Sequence, residues 1–176
     1  MNMNNIDRLI RLRYALDIRD TDVVEMFKLG GTLITKEEVK EIFARGKDSY
    51  DDEDSDFDMI DKDIFSSNKF DSFLNGLIIF KRGKQDLSKE EVERPKVPLK
   101  DHEGMNNIML KKVKIALSLT SDDIIDILEE VGIILTKGEL GAIFRKEGHK
   151  NYKECGDKYA RNFLKGLALR YRRNNL

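Results

Sequence analysis

Tyr14 to Phe43 can be laid on Ile115 to Phe144 without a gap, at a constant offset of 101 residues. The offset superposes Ala15 on Ala116, Leu16 on Leu117, Asp22 on Asp123 and Gly31 on Gly132. It also brings Thr35-Lys36 onto Thr136-Lys137, Glu38 onto Glu139 and Ile42-Phe43 onto Ile143-Phe144. A second block follows at an offset of 90, where Phe73-Leu74-Asn75-Gly76-Leu77 meets Phe163-Leu164-Lys165-Gly166-Leu167. No other feature limits the fold as strongly. Two units with the same pattern must bury the same stripes, each within itself or against its twin.

The pattern inside each unit is helical. Leu9, Leu12 and Leu16 fall at i, i+3 and i+7, and Leu110, Val113 and Leu117 repeat the spacing. Arg8, Arg11 and Arg13, like Lys111, Lys112 and Lys114, are expected on the opposite faces. Asp20 and Ser121 stand where the cap of a second helix belongs. That helix is expected to bury Val23, Val24 and Phe27, or Ile124, Ile125 and Leu128, and to stop near Gly31 or Gly132. Thr35 with Glu38, and Thr136 with Glu139, have the spacing of a capping box at the start of a third helix. Leu33-Ile34 and Ile133-Ile134-Leu135 before it are read as packed turns, not strands. Gly46 and Gly148 are read as stops. Phe70, Phe73, Leu74, Leu77 and Ile78 make the apolar face of a fourth helix, and Ala160, Phe163, Leu164, Leu167 and Ala168 make its twin. Ser67 and Asp157 are its expected caps.

The expected fold is all-α, a tandem duplication of a four-helix repeat with the copies packed in pseudo-twofold symmetry. Residues 1–83 form repeat one, with an acidic insertion at about 47–66. Residues 84–105 form a charged linker holding Pro95 and Pro98, and residues 106–176 form repeat two. Gly76 and Gly166 lie inside the fourth helices, where glycine costs roughly 1 kcal/mol relative to alanine. Close approach of another helix would offset that cost. Phe73, Gly76 and Leu77 with Phe163, Gly166 and Leu167 are therefore the expected contact between the repeats.

The residues Phe73-Leu74-Asn75-Gly76-Leu77-Ile78 and Lys81-Arg82-Gly83-Lys84 carry a resemblance in repeat one. Repeat two adds Asn106-Asn107-Ile108, Leu110-Lys111-Lys112 and Asp122-Asp123-Ile124. It ends with His149-Lys150-Asn151-Tyr152-Lys153-Glu154-Cys155-Gly156-Asp157. In these stretches the chain resembles the bacterial YehS-like family of duplicated proteins of unknown function. The resemblance implies the duplicated architecture and a bacterial cytosolic origin, and it implies no activity. The acidic insertion departs from it.

Charge separates the repeats. Residues 47–69 carry three lysines against nine acids, whereas residues 106–176 carry fourteen basic against nine acidic side chains. The whole chain has a formal charge of −1, which excludes a global attraction to DNA or a membrane. A single cysteine makes no internal disulfide and fits a reducing compartment. The N-terminus lacks an apolar run because Asp7, Arg8, Arg11 and Arg13 interrupt it, and no stretch reaches the length that spans a bilayer. A cytoplasmic location without membrane contact is expected.

Three chemistries compete with bland readings. His149, Cys155 and Asp157 invite a thiol or metal site, but a zinc site takes four ligands and this set is short. His149, with Lys150, is read as a loop residue, Cys155 as a small packed side chain and Asp157 as a helix cap. Asp52, Asp54, Asp56, Asp58 and Asp63 follow calcium-loop spacing, yet Phe57 stands where glycine belongs and Asp63 where a bidentate glutamate belongs. They are read as a solvated acidic loop. Helices two and three resemble a helix-turn-helix, but Glu37 and Glu41 oppose phosphate and Gly138 and Gly141 read no base. The better anion surface combines Lys111, Lys112, Lys114, His149, Lys150, Lys165, Arg170, Arg172 and Arg173, provided the first and fourth helices of repeat two lie side by side.

No cofactor and no metal are expected, and the catalytic motifs sought are absent. The expected function is a non-enzymatic module that binds another macromolecule, most simply a protein, with nucleic acid or another polyanion on the basic face as the alternative.

Overall fold

The computed structural model describes residues 4–49, 66–83, 104–145 and 148–173, with side chains of 45–49 and 173 left out. The acidic positions Asp52 to Asp63 and the linker prolines lie outside these residues. Among the described residues every regular element is a helix. Repeat one holds α1 (Asn5–Leu16), α2 (Asp20–Leu29), α3 (Lys36–Ser49) and α4 (Ser67–Arg82). Repeat two holds α5 (Met105–Ala116), α6 (Ser121–Glu130), α7 (Lys137–Phe144) and α8 (Asp157–Arg173).

The helix ends follow local chemistry, and several sit one residue from the expected place. The caps of α2 and α6 are Arg19 and Thr120, with Asp20 and Ser121 already helical. Ser66, not Ser67, caps α4 by accepting from the Lys69 amide. Thr35 and Thr136 accept from the Glu38 and Glu139 amides as expected. Both second helices end in a Schellman motif: the Thr32 and Ile133 amides reach back to the Phe27 and Leu128 carbonyls, with Gly31 and Gly132 at φ of 94° and 85°. Gly46 is no stop, because α3 runs through it to Ser49.

The apolar stripes of both repeats join in one core. Phe27, Phe70, Phe73 and Phe163 are among its fully buried side chains. The Phe27 and Phe73 rings lie 5.4 Å apart. Removing each such side chain from water contributes roughly 1.5–3 kcal/mol.

The joint between the repeats is a cross-over. Helix α4 packs along α5, and α8 packs along α1, so each fourth helix lies on the first helix of the other repeat. The ends of these pairs match: Arg82 donates to the Ile115 carbonyl, and Arg172 donates to the Tyr14 carbonyl at 2.8 Å. These are equivalent positions under the two sequence offsets, so the contacts are reciprocal.

This corrects the expected joint through the fourth helices. A Cβ placed on Gly76 would lie 1.6 Å from the Met26 carbonyl oxygen of α2. One placed on Gly166 would lie 2.6 Å from the Ile127 carbonyl oxygen of α6. Both close approaches fall within a repeat, between its second and fourth helices. Phe73 likewise packs on Phe27 of its own repeat. The glycines do serve close packing, but with a different neighbour.

Candidate functional site

The cross-over brings the starts of four helices together, and there the core turns polar. Arg8 is 2% exposed, one turn into α1 and on the same face as Leu12 and Ala15. Arginine offers only donors, so the groups it meets must turn acceptors toward it. Its Nη1 donates to Asn5 Oδ1 at 2.7 Å, and its Nε donates to Asn106 Oδ1 at 2.9 Å. Each amide then turns its NH2 outward. Asn5 Nδ2 donates to Ser67 Oγ at 3.3 Å, and Asn106 Nδ2 donates to Asp157 Oδ1 at 2.9 Å. A hydrogen-bonded chain results, Ser67–Asn5–Arg8–Asn106–Asp157, that passes from one repeat into the other.

The chain is almost symmetric in sequence. Asn5 and Asn106 are equivalent at offset 101, and Ser67 and Asp157 at offset 90. Arg8 falls on Met109, which is fully buried. Sequence reading placed Arg8 with Arg11 and Arg13 on a solvent face, and the structure corrects this. The available signal was the apolar twin at position 109.

Beside this chain, Asn107 fastens the stretch before α8. It donates to the Ile143 and Lys153 carbonyls and accepts from the Cys155 amide at 2.8 Å. Cys155 is buried, and its thiol pKa is pushed up to about 12, first by burial and then by the neighbouring Asp157 carboxylate. A thiol so held is protonated at neutral pH and is no nucleophile. His149 is exposed and accepts from the Asn151 amide through Nδ1 at 3.1 Å. Asp157 is the first residue of α8 and an acceptor for Asn106, rather than the expected cap. Among the described residues, no group of three or more His, Cys, Asp or Glu side chains could hold a metal ion.

The basic side chains named from sequence are divided. Helix α5 packs chiefly on α4 and α8 chiefly on α1, so α5 and α8 touch only lightly. Lys112 pairs with Asp71 of α4, and Lys114 lies over the Phe144 ring as Arg13 lies over Phe43. Arg170 pairs with Asp123 at 3.6 Å. Arg172 reaches Asp17 at 3.9 Å and stacks on the Tyr14 ring. Hydrogen bonds from the Thr120 backbone and hydroxyl, with Arg170 assisting, hold the Asp123 carboxyl below its ordinary pKa. Lys111, Lys150 and Lys165 are exposed; the Arg173 side chain lies outside the described residues.

One exposed feature departs from the expectation of packed turns. Leu33 and Ile134, at equivalent positions in the turns before α3 and α7, are each 85% exposed, although Ile34 and Leu135 beside them pack against the core. Along α8, Lys158, Arg161, Lys165, Leu169 and Arg172 form one stripe at helical spacing. No helix of the described residues is long and apolar enough to cross a membrane.

The family described as protein of unknown function (DUF1456) matches the chain at residues 4–83 and 106–173, once over each repeat. The chain is 36% identical over 164 residues to the uncharacterized protein YehS of Escherichia coli (strain K12), covering 93% of this chain and 94% of that one. No solved structure matches it. The chain belongs to the DUF1456 family.

Proposed function

We propose that this member of the DUF1456 family is a non-enzymatic module of the bacterial cytoplasm that binds another protein through the twin turns carrying Leu33 and Ile134. The observation that supports it most is the 85% exposure of an apolar side chain at the same place in both repeats. A single exposed leucine needs no explanation. Here a tight helix end precedes each tip and a threonine cap follows it, so the backbone is already fixed. A preordered apolar tip loses little conformational freedom on docking. The buried, protonated Cys155 thiol supports the non-enzymatic reading.

A second reading rests on the α8 stripe. Lys158 and Lys165 are exposed on one face of α8, and Arg161 shares their spacing. Such a face suits the phosphates of a nucleic acid or another polyanion.

The experiment compares lysate proteins captured by the intact chain, by a Leu33→Ser/Ile134→Ser variant and by a Lys158→Glu/Lys165→Glu variant, with and without nuclease. The expected result is a protein partner retained after nuclease and at high salt, and lost with the first variant alone. Capture abolished by nuclease, by salt or by the second variant alone would replace the proposal with the polyanion reading.

A further inference from the structure

The surfaces by which the repeats meet are not private to one molecule. Helix α4 of repeat one lies on α5, and α8 of repeat two lies on α1. Arg82 donates to the Ile115 carbonyl at the end of the first pair, and Arg172 donates to the Tyr14 carbonyl at the end of the second. All of these contacts run from one repeat to the other. Only residues 84–103 tie the two covalently, so repeat one finds the same surface on its own repeat two as on that of a second copy.

The reach of the connection decides between the two. Because Arg82 touches Ile115, α4 ends beside the end of α5, and the chain must return along α5 to start that helix at Met105. At 1.5 Å per residue the return is about 17 Å. The twenty residues 84–103 are long enough to span that distance more than three times over, at about 3.3 Å each when extended. A tether of this kind presents its own partner at an effective concentration on the order of millimolar, above that of second copies in an ordinary solution.

We propose that the joint is also an interface for a second copy of this chain, formed by exchange of whole repeats, and that the length of residues 84–103 keeps the natural chain closed on itself. In the exchanged dimer, repeat one of each copy is covered by repeat two of the other. The core side chains at the joint keep the neighbours they have in the monomer. Exchange therefore costs association entropy and a new path for the connection, but no packing.

A variant of the full chain lacking residues 85–102 tests this. Lys84 and Glu103 are then left to bridge Gly83 and Gly104, and they reach only about 11 Å at full stretch. The variant is expected to scatter light as a dimer of twice its chain mass, with the helical far-UV spectrum of the natural protein. A folded monomer would overturn the proposal. Should the variant fail to fold, the natural chain decides. Refolded from urea at about 1 mM it is expected to yield a clear dimer fraction, against almost none at about 10 µM. Once isolated, that dimer is expected to survive dilution and to return to monomer only through urea, because both joints must open together. It is also expected from the Leu33→Ser/Ile134→Ser variant, from which a dimer docked through the twin turns would be missing. Monomer at every concentration, a dimer that dissociates on simple dilution, or one lost with that variant would each sink the idea.

Discussion

At the scale of single residues, the chemistry of this protein is set by what burial does to groups that ordinarily meet water. Cys155 shows it most simply. Its thiol pKa rises from an ordinary 9.0 to about 12, chiefly because the thiolate would lose its hydration. The sign of the consequence follows from proton counting. Above pH 9 the unfolded chain gives up the thiol proton while the native chain keeps it until about pH 12. Stability from this group is whole below pH 9 and is lost as pH rises toward 12, by roughly 1.4 kcal/mol per pH unit. Urea unfolding of the natural protein should therefore weaken more steeply between pH 9 and pH 11 than that of a Cys155→Ala variant. Parallel slopes for the two would show that the thiol is not buried as described. Arg8 makes the same point about reading a sequence. An arginine among arginines reads as solvated, because the type of side chain outweighs its position in the stripe. Only comparison with Met109 of the second repeat shows that the position itself is a core position.

At the scale of helices, the spacing of apolar residues is enough to find the eight helices of the described residues, because a period of 3.6 is written into each stripe. Spacing could not say which helix meets which. The two repeats carry like stripes, so a fourth helix fits the first helix of either repeat equally well on paper. The glycines were legible as close approaches for the same reason and misassigned for the same reason. Their true neighbours give a prediction that separates packing from propensity. Replacing Gly76 by alanine improves helix propensity by roughly 1 kcal/mol, yet the new methyl would collide with the Met26 backbone. The expected net effect is a loss of about 3 kcal/mol or more. Gly141 of α7 has nothing within 4 Å of the same added atom, and its alanine variant should gain roughly 0.5–1 kcal/mol. Chemical denaturation of both variants checks the pair of signs. Equal effects would mean that α2 and α4 do not cross at Gly76. A short apolar run before a cap usually shields every member, so spacing alone makes the turns at Leu33 and Ile134 packed. In the structure Ile34 and Leu135 pack against the core while Leu33 and Ile134 beside them face solvent.

At the scale of the whole molecule, the two repeats share one core and exchange helix faces, so neither has a complete interior of its own. Loss of repeat two would uncover α1 and α4 together, at the faces where α8 and α5 now lie. The protein is therefore expected to unfold in a single urea transition, with far-UV circular dichroism and tyrosine emission tracing one curve. Two separated steps would mean that the halves stand independently. The interlocked first and fourth helices also bear on ancestry. A single unit of this kind would leave the faces of its first and fourth helices uncovered unless a second, identical unit lay across them. Two units on one chain need not be identical. Once both halves were inherited on one polypeptide, facing positions were free to become different, and a lone cation could settle where identical subunits would have been forced to place two.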